Sequence, residues 1–203
     1  MASRLWLEHA QLVDGNATKV GDRNTRMNCR CKFRCFLEEN GACFEVVSET
    51  ECRLYVQRRA EPRMFTFDNI FGEQSSQNEI FSAVGIPTVE HLLAGLNSTI
   101  LTYGPSGTGK THTMLGDPDS DEMQGLAPRM FQRLFARIEE ERATMTPAPE
   151  YKFVCSSVEI YNETITDLLA PASKNLPLRI GTPVGTYVEN LREVEVKNGN
   201  LPC

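Results

Sequence analysis

A chain of 203 residues, 40% hydrophobic and 24% charged, can bury one sizeable core, which excludes a disordered or collagen-like protein. Its formal net charge of -6 gives no general attraction to nucleic acid or to an acidic membrane, partners that reward clustered Lys and Arg. No apolar run approaches the roughly 20 residues that span a bilayer, and Leu5-Trp6-Leu7 is cut off at once by Glu8 and His9, so neither a membrane span nor a secretory signal is expected and the default compartment is the cytosol.

Residues 1–28 mix Gly, Asn, Asp, Thr and Arg without a sustained period and are expected to form a flexible extension ahead of a folded part at 29–203. From Cys29 to Cys35 cysteine and phenylalanine alternate with Arg30, Lys32 and Arg34, the pattern of a strand with one buried face. Phe44–Val47 and Arg53–Gln57 are further strand candidates, and the basic cluster Arg53, Arg58, Arg59 and Arg63 reads as a solvated turn or strand edge. Ser76 followed by Glu79 forms a capping box, and Ile80, Phe81, Val84, Val89, Leu92, Leu93 and Leu96 recur at helical spacing, with Pro87 expected to kink or restart the helix.

Ser98–Tyr103 is a short, mostly apolar run and predicts a buried strand. A helix is expected from Lys110 to Leu115, then a loop over Gly116–Gly125. Pro128 suits a first helical turn and opens a helix with Phe131, Leu134, Phe135 and Ile138 on one face. Pro147 and Pro149 mark a linker before a strand at Lys152–Tyr161, a helical turn is expected at Ile165–Leu169, and Leu176–Ile180 and Thr186–Val196 have strand or hairpin character.

Seven cysteines, an odd number, stand at Cys29, Cys31, Cys35, Cys43, Cys52, Cys155 and Cys203. The spacing Cys29-x-Cys31-x-x-x-Cys35 lacks a Cys-x-x-Cys pair or a nearby His to complete a tetrahedral metal set, so reduced thiols are the expectation.

The segment Gly104-Pro105-Ser106-Gly107-Thr108-Gly109-Lys110-Thr111 fits G-x-x-x-x-G-K-[ST], between a predicted strand and a predicted helix. Glycines at those places let backbone N–H groups turn toward phosphates without side-chain clash, Lys110 supplies positive charge to the β- and γ-phosphates, and the Thr111 hydroxyl is suited to Mg²⁺. A turn that merely joins a strand to a helix needs neither that Lys nor that Thr. ATP and Mg²⁺ are therefore the expected ligands, with Lys110 and Thr111 as the catalytic candidates.

Around this loop the sequence resembles the kinesin superfamily over about residues 29–196. The resemblance rests on Phe65-Thr66-Phe67-Asp68-Asn69-Ile70-Phe71, Ser76-Gln77-Asn78-Glu79-Ile80-Phe81, Gly95-Leu96-Asn97-Ser98-Thr99-Ile100 and, after the loop, His112-Thr113-Met114. It continues in Gly125-Leu126-Ala127-Pro128-Arg129, Ser157-Val158-Glu159-Ile160-Tyr161-Asn162-Glu163 and Asp167-Leu168-Leu169. It implies an α/β P-loop NTPase fold with a central, mostly parallel sheet flanked by helices, microtubules as partner and a cytoplasmic, cytoskeletal location. It also implies that Lys32, Phe33, Arg34, Cys35 and His112 occupy the positions that flank the adenine, with Lys and Cys standing where the family has Arg and Pro. Leu96 stands where kinesins usually carry an aromatic residue, and Pro105 where many carry Gln.

Two further family motifs, Asn-x-x-Ser-Ser-Arg-Ser-His and Asp-Leu-Ala-Gly-Ser-Glu, do not occur in this sequence, nor does a minimal Asp-x-x-Gly. Because one preorganised transition-state contact is worth about 100- to 1,000-fold in rate, hydrolysis by these 203 residues is expected to stay near background. Residues 29–203 thus read as a partial motor domain whose activity belongs to the full-length protein, or alternatively as a nucleotide-binding module without motor action. No heptad run specifies a dimer.

Overall fold

The computed structural model describes residues 3–12, 30–32, 44–55, 61–72, 74–117, 119–181 and 185–197. The chain divides into two compact units, Ala17–Ile80 and a larger one made of Met1–Asn16 with Phe81–Cys203.

In the smaller unit β2 (Arg30–Lys32) pairs in parallel with β6 (Asn69–Phe71). A three-stranded antiparallel sheet is built from β3 (Phe44–Val46), β4 (Glu51–Leu54) and β5 (Arg63–Thr66). The turn between β3 and β4 is closed by Ser48, whose hydroxyl accepts the N–H groups of Thr50 and Glu51 at 3.2 and 3.0 Å. Helix α1 (Gln77–Ile80) ends this unit. Its start carries the predicted capping box: the Ser76 N–H donates to Glu79 Oε2 at 2.7 Å and the Glu79 N–H to Ser76 Oγ at 3.2 Å.

The larger unit is organised around β7 (Tyr151–Tyr161). Strand β1 (Ser3–Leu12) runs antiparallel along it from Ser3↔Ile160 to Leu12↔Tyr151. Its opposite edge is shared by β8 (Thr164–Asp167) and β11 (Val194–Val196), both also antiparallel. Strand pairing over Ser3–Leu12 differs from the expected flexible extension: ten successive pairings to β7 supply the order that the sequence's lack of period does not announce. Strands β9 (Leu178–Gly181) and β10 (Gly185–Val188) form a separate hairpin.

Helix α2 (Ile86–Leu93) follows a π-helical segment, Phe81–Gly85, and has Pro87 in its first turn, so the proline restarts the helix as its missing N–H requires. Helix α3 (Lys110–Met114) is short, and α4 (Leu126–Thr144) is the long helix of the unit. Phe131, Leu134 and Ile138 are buried along one face of α4, as their spacing predicts. Leu134 and Ile138 pack with Val89 of α2, while Phe131 packs with Cys155 of β7 and Val196 of β11. Phe135 meets Phe153 of β7 with ring centroids 5.2 Å apart. Glu90 of α2 accepts from Arg133 and Arg137 of α4, each at 3.3 Å. This packing fixes where α4 begins, and so where the loop before it is anchored.

Two expectations are corrected. Residues 98–103, expected as a buried strand, pair with no strand among the described residues, and Leu101 and Tyr103 are 71% and 96% exposed. An apolar run of that length becomes a strand only where neighbouring strands complete its ladder. The helical turn expected at Ile165–Leu169 is instead strand β8 followed by a bend. Asn162 and Glu163 take φ of 47° and 60°, making the two-residue, positive-φ connection that folds a hairpin back on itself, and this forces β7 and β8 antiparallel. Parallel pairing is accordingly seen at β2 and β6 but not around β7.

Candidate functional site

Residues 104–109 form a turn that leads into α3, and three of its six residues are glycines with positive φ: Gly104 at 153°, Gly107 at 82° and Gly109 at 87°. Those angles are strained for any residue with a Cβ. At Gly107 and Gly109 an added Cβ would meet nothing within 4 Å, so the glycines serve conformation there rather than packing. At Gly104 an added Cβ would lie 2.7 Å from Thr108 Oγ1, so close approach matters as well.

Lys110, the first residue of α3, turns back over this loop. Its Nζ donates to the carbonyl oxygens of Gly104 at 2.8 Å and Pro105 at 2.6 Å. Thr108 Oγ1 donates to the same Pro105 oxygen at 2.8 Å. Gly109, in the left-handed conformation, caps α3 and accepts the Thr113 N–H at 2.8 Å. Thr111 is exposed and His112 half-buried. A cation is thereby held beside exposed, glycine-rich backbone, with a hydroxyl on the adjacent residue. This combination suits an anion that brings its own metal ion.

The structure brings together Gly104, Pro105, Ser106, Gly107, Thr108, Gly109, Lys110, Thr111 and His112 as one continuous segment. Lys32 falls in β2 of the smaller unit, while Arg34 and Cys35 lie outside the described residues. Cys29 also lies outside them, and Cys31 is in β2.

Sequence reasoning treats Arg129 only as part of a family landmark. In the structure its guanidinium closes the loop between α3 and α4, with Nη2 donating to the carbonyls of Asp121 (2.7 Å) and Glu122 (2.9 Å) and Nε to that of Gln124 (2.9 Å). Backbone bonds from Asp117 N to Met123 O and from Gly125 N to Leu115 O complete the closure. The base of this loop admits no side chain at Gly116, where an added Cβ would fall 2.0 Å from Met123 O. Arg129 is the fourth residue of α4, and its reach back to the loop carbonyls is a geometry that periodicity does not report.

A family model of the kinesin motor domain matches residues 21–200. The chain belongs to the kinesin motor-domain family. Among its relatives, kinesin-like protein KIN-12B of Arabidopsis thaliana is 40% identical over 203 residues, covering 96% of this chain and 15% of that protein. Kinesin-like protein KIN-12F of Oryza sativa subsp. japonica is 42% identical over 179 residues, covering 85% of this chain and 6% of that protein. Kinesin-like protein KIN-12A of Arabidopsis thaliana is 47% identical over 142 residues, covering 66% of this chain and 11% of that protein. The chain therefore spans only a small part of the length of these relatives. A solved structure of a fast kinesin, described for its ATPase mechanism and interactions with microtubules, superposes with a TM-score of 0.76 at 31% identity, over 85% of this chain and 49% of that one. The fold is accordingly the α/β P-loop NTPase fold of kinesin motors.

Among the described residues no helix is long and apolar enough to cross a membrane, and no group of three or more His, Cys, Asp or Glu is gathered for a metal ion.

Proposed function

We propose that Gly104–Thr111 binds the phosphates of Mg-ATP, and that the protein is a microtubule-based motor of the kinesin type, in which ATP hydrolysis is coupled to movement along microtubules. The observation that carries the first part is the ammonium of Lys110 held against the Gly104 and Pro105 carbonyls, at a turn where three glycines have positive φ. Lys110 would meet the β- and γ-phosphates, and Thr111 would supply the protein's oxygen to a Mg²⁺ otherwise ligated by phosphate and water, since Mg²⁺ commonly takes only one or two protein groups at such sites. By family resemblance, His112, Lys32, Arg34 and Cys35 are the candidates for contact with the adenine.

The motor part of the proposal rests on family membership. Microtubules are the partner, a cytoplasmic and cytoskeletal location follows from them, and the segment Thr186–Asn198 is the part of this chain that resembles a microtubule-facing region.

Lys110→Ala is expected to weaken Mg-ATP binding by about 10- to 100-fold, the range for losing a hydrogen bond to a charged group. Thr111→Ala should weaken binding of Mg-ATP but not of ATP in the presence of a chelator. An equilibrium titration giving wild-type affinity for both variants would reject the site.

A further inference from the structure

The phosphate loop contains a side chain whose contacts give it a task beyond filling its place in the motif. Pro105 has no N–H to offer a phosphate, and its contribution to the loop is its carbonyl. That oxygen accepts from two donors at once, Lys110 Nζ at 2.6 Å and Thr108 Oγ1 at 2.8 Å, which fills both of its lone pairs. Thr108 Oγ1 is also the atom that stands 2.7 Å from where a Cβ on Gly104 would be, and the Gly104 carbonyl is the other acceptor of Lys110 at 2.8 Å. Thr108 therefore bonds one of the two residues whose carbonyls hold the ammonium and stands close beside the other. A β-branched side chain is stiff about χ1, so its hydroxyl is a fixed point and not a swinging one.

We propose that Thr108 is a positioning residue for Lys110: by pinning the Pro105 carbonyl it sets where the ammonium stands. Two of the three ammonium donors are occupied by loop carbonyls, which leaves one to meet an incoming phosphate oxygen. With the Pro105 carbonyl free to turn toward solvent, the ammonium loses a fixed direction, and part of the binding free energy goes into ordering it. The inference rests on the nucleotide-binding reading of this loop.

The test is an equilibrium titration of the full chain with a fluorescent ATP analogue and Mg²⁺. Thr108→Val and Thr108→Ala, both without the hydroxyl, should bind about three- to tenfold more weakly, the range for one net hydrogen bond. Thr108→Ser, which restores the hydroxyl, should bind within about twofold of wild type. In a Lys110→Ala background, Thr108→Ala should cost nothing more, because there is no ammonium left to position. A purely structural role for Thr108 would instead carry its full penalty into that background and overturn the proposal. Two hydroxyl-free variants of different bulk keep the test decisive if the valine form does not fold. If the wild-type chain binds no analogue, the nucleotide reading falls and this inference with it. If the wild type binds and Thr108→Ala matches it, the inference alone falls.

Discussion

Asp167 is joined to Arg192 across 25 residues of chain, its Oδ2 accepting the Arg192 backbone N–H at 2.7 Å. The other oxygen, Oδ1, accepts the N–H groups of Leu169 at 2.8 Å and Ala170 at 3.1 Å. The carboxylate is fully buried, yet three backbone donors replace the water it has lost. It thus ends β8 in a bend and holds the chain two residues ahead of β11, so that Val194–Val196 reach the free edge of β7.

Asp167→Asn should therefore destabilise the protein by about 2 to 3 kcal/mol, because the amide can keep the Leu169 and Ala170 bonds while turning an NH₂ group against the Arg192 N–H. Urea unfolding measures this as a lower midpoint at constant slope. An unchanged midpoint would show that the buried carboxylate holds nothing that an amide cannot.

Arg129 makes a second prediction, on local order. Its planar fork reaches three carbonyls through two separate nitrogens, Nε and Nη2, a spread that the single ammonium of lysine does not reproduce. Arg129→Lys should speed hydrogen exchange of the Asp117, Met123 and Gln124 amides, which close this loop, by about tenfold, equal to roughly 1.4 kcal/mol of local opening. Amides in the middle of α4 should keep their protection. Equal protection of the loop in both proteins would remove Arg129 from the role of clamp.

What could be read in the sequence is what local chemistry determines. The capping box at Ser76 and Glu79 needs only residues three apart, and it forms. The apolar face of α4 follows from a helical period, and Phe131, Leu134 and Ile138 are buried along it. The glycine-rich turn was legible because the positive φ at Gly104, Gly107 and Gly109 nearly demands glycine. Residues 98–103 failed because an apolar run records a preference for burial but not the presence of strands to bury it. Ile165–Leu169 failed because Asn162 and Glu163, a turn pair weaker than Asn-Gly, decide the direction of the chain before those residues are reached. The roles of Asp167 and Arg129 were not legible for a different reason. Both act on backbone groups whose positions exist only once the hairpin and the loop have folded.

Tyr151 provides a prediction in which the direction of the effect is fixed by the burial of one phenol. Its hydroxyl donates to the Glu141 carboxylate at the end of α4. Burial, then this hydrogen bond, then the negative charge of Glu141 push the phenol from its ordinary 10 up to about 12, against a smaller opposing effect of Arg137 and Arg142. Below pH 10 the phenol is protonated in both folded and unfolded chains, and its contribution to stability is fully present. Between pH 10 and about 12 the unfolded chain releases the proton while the folded one retains it, so stability falls as pH rises and the contribution is gone above the folded value. Ultraviolet titration should show a late-ionising component, and Tyr151→Phe should remove it. Glu141→Gln should bring the late ionisation only part of the way back, since burial, the larger cause, remains. A Tyr151→Phe titration identical to that of the wild type would mean that Tyr151 is neither partly buried nor bonded as the structure has it, and a full return in Glu141→Gln would mean that the carboxylate rather than burial dominates.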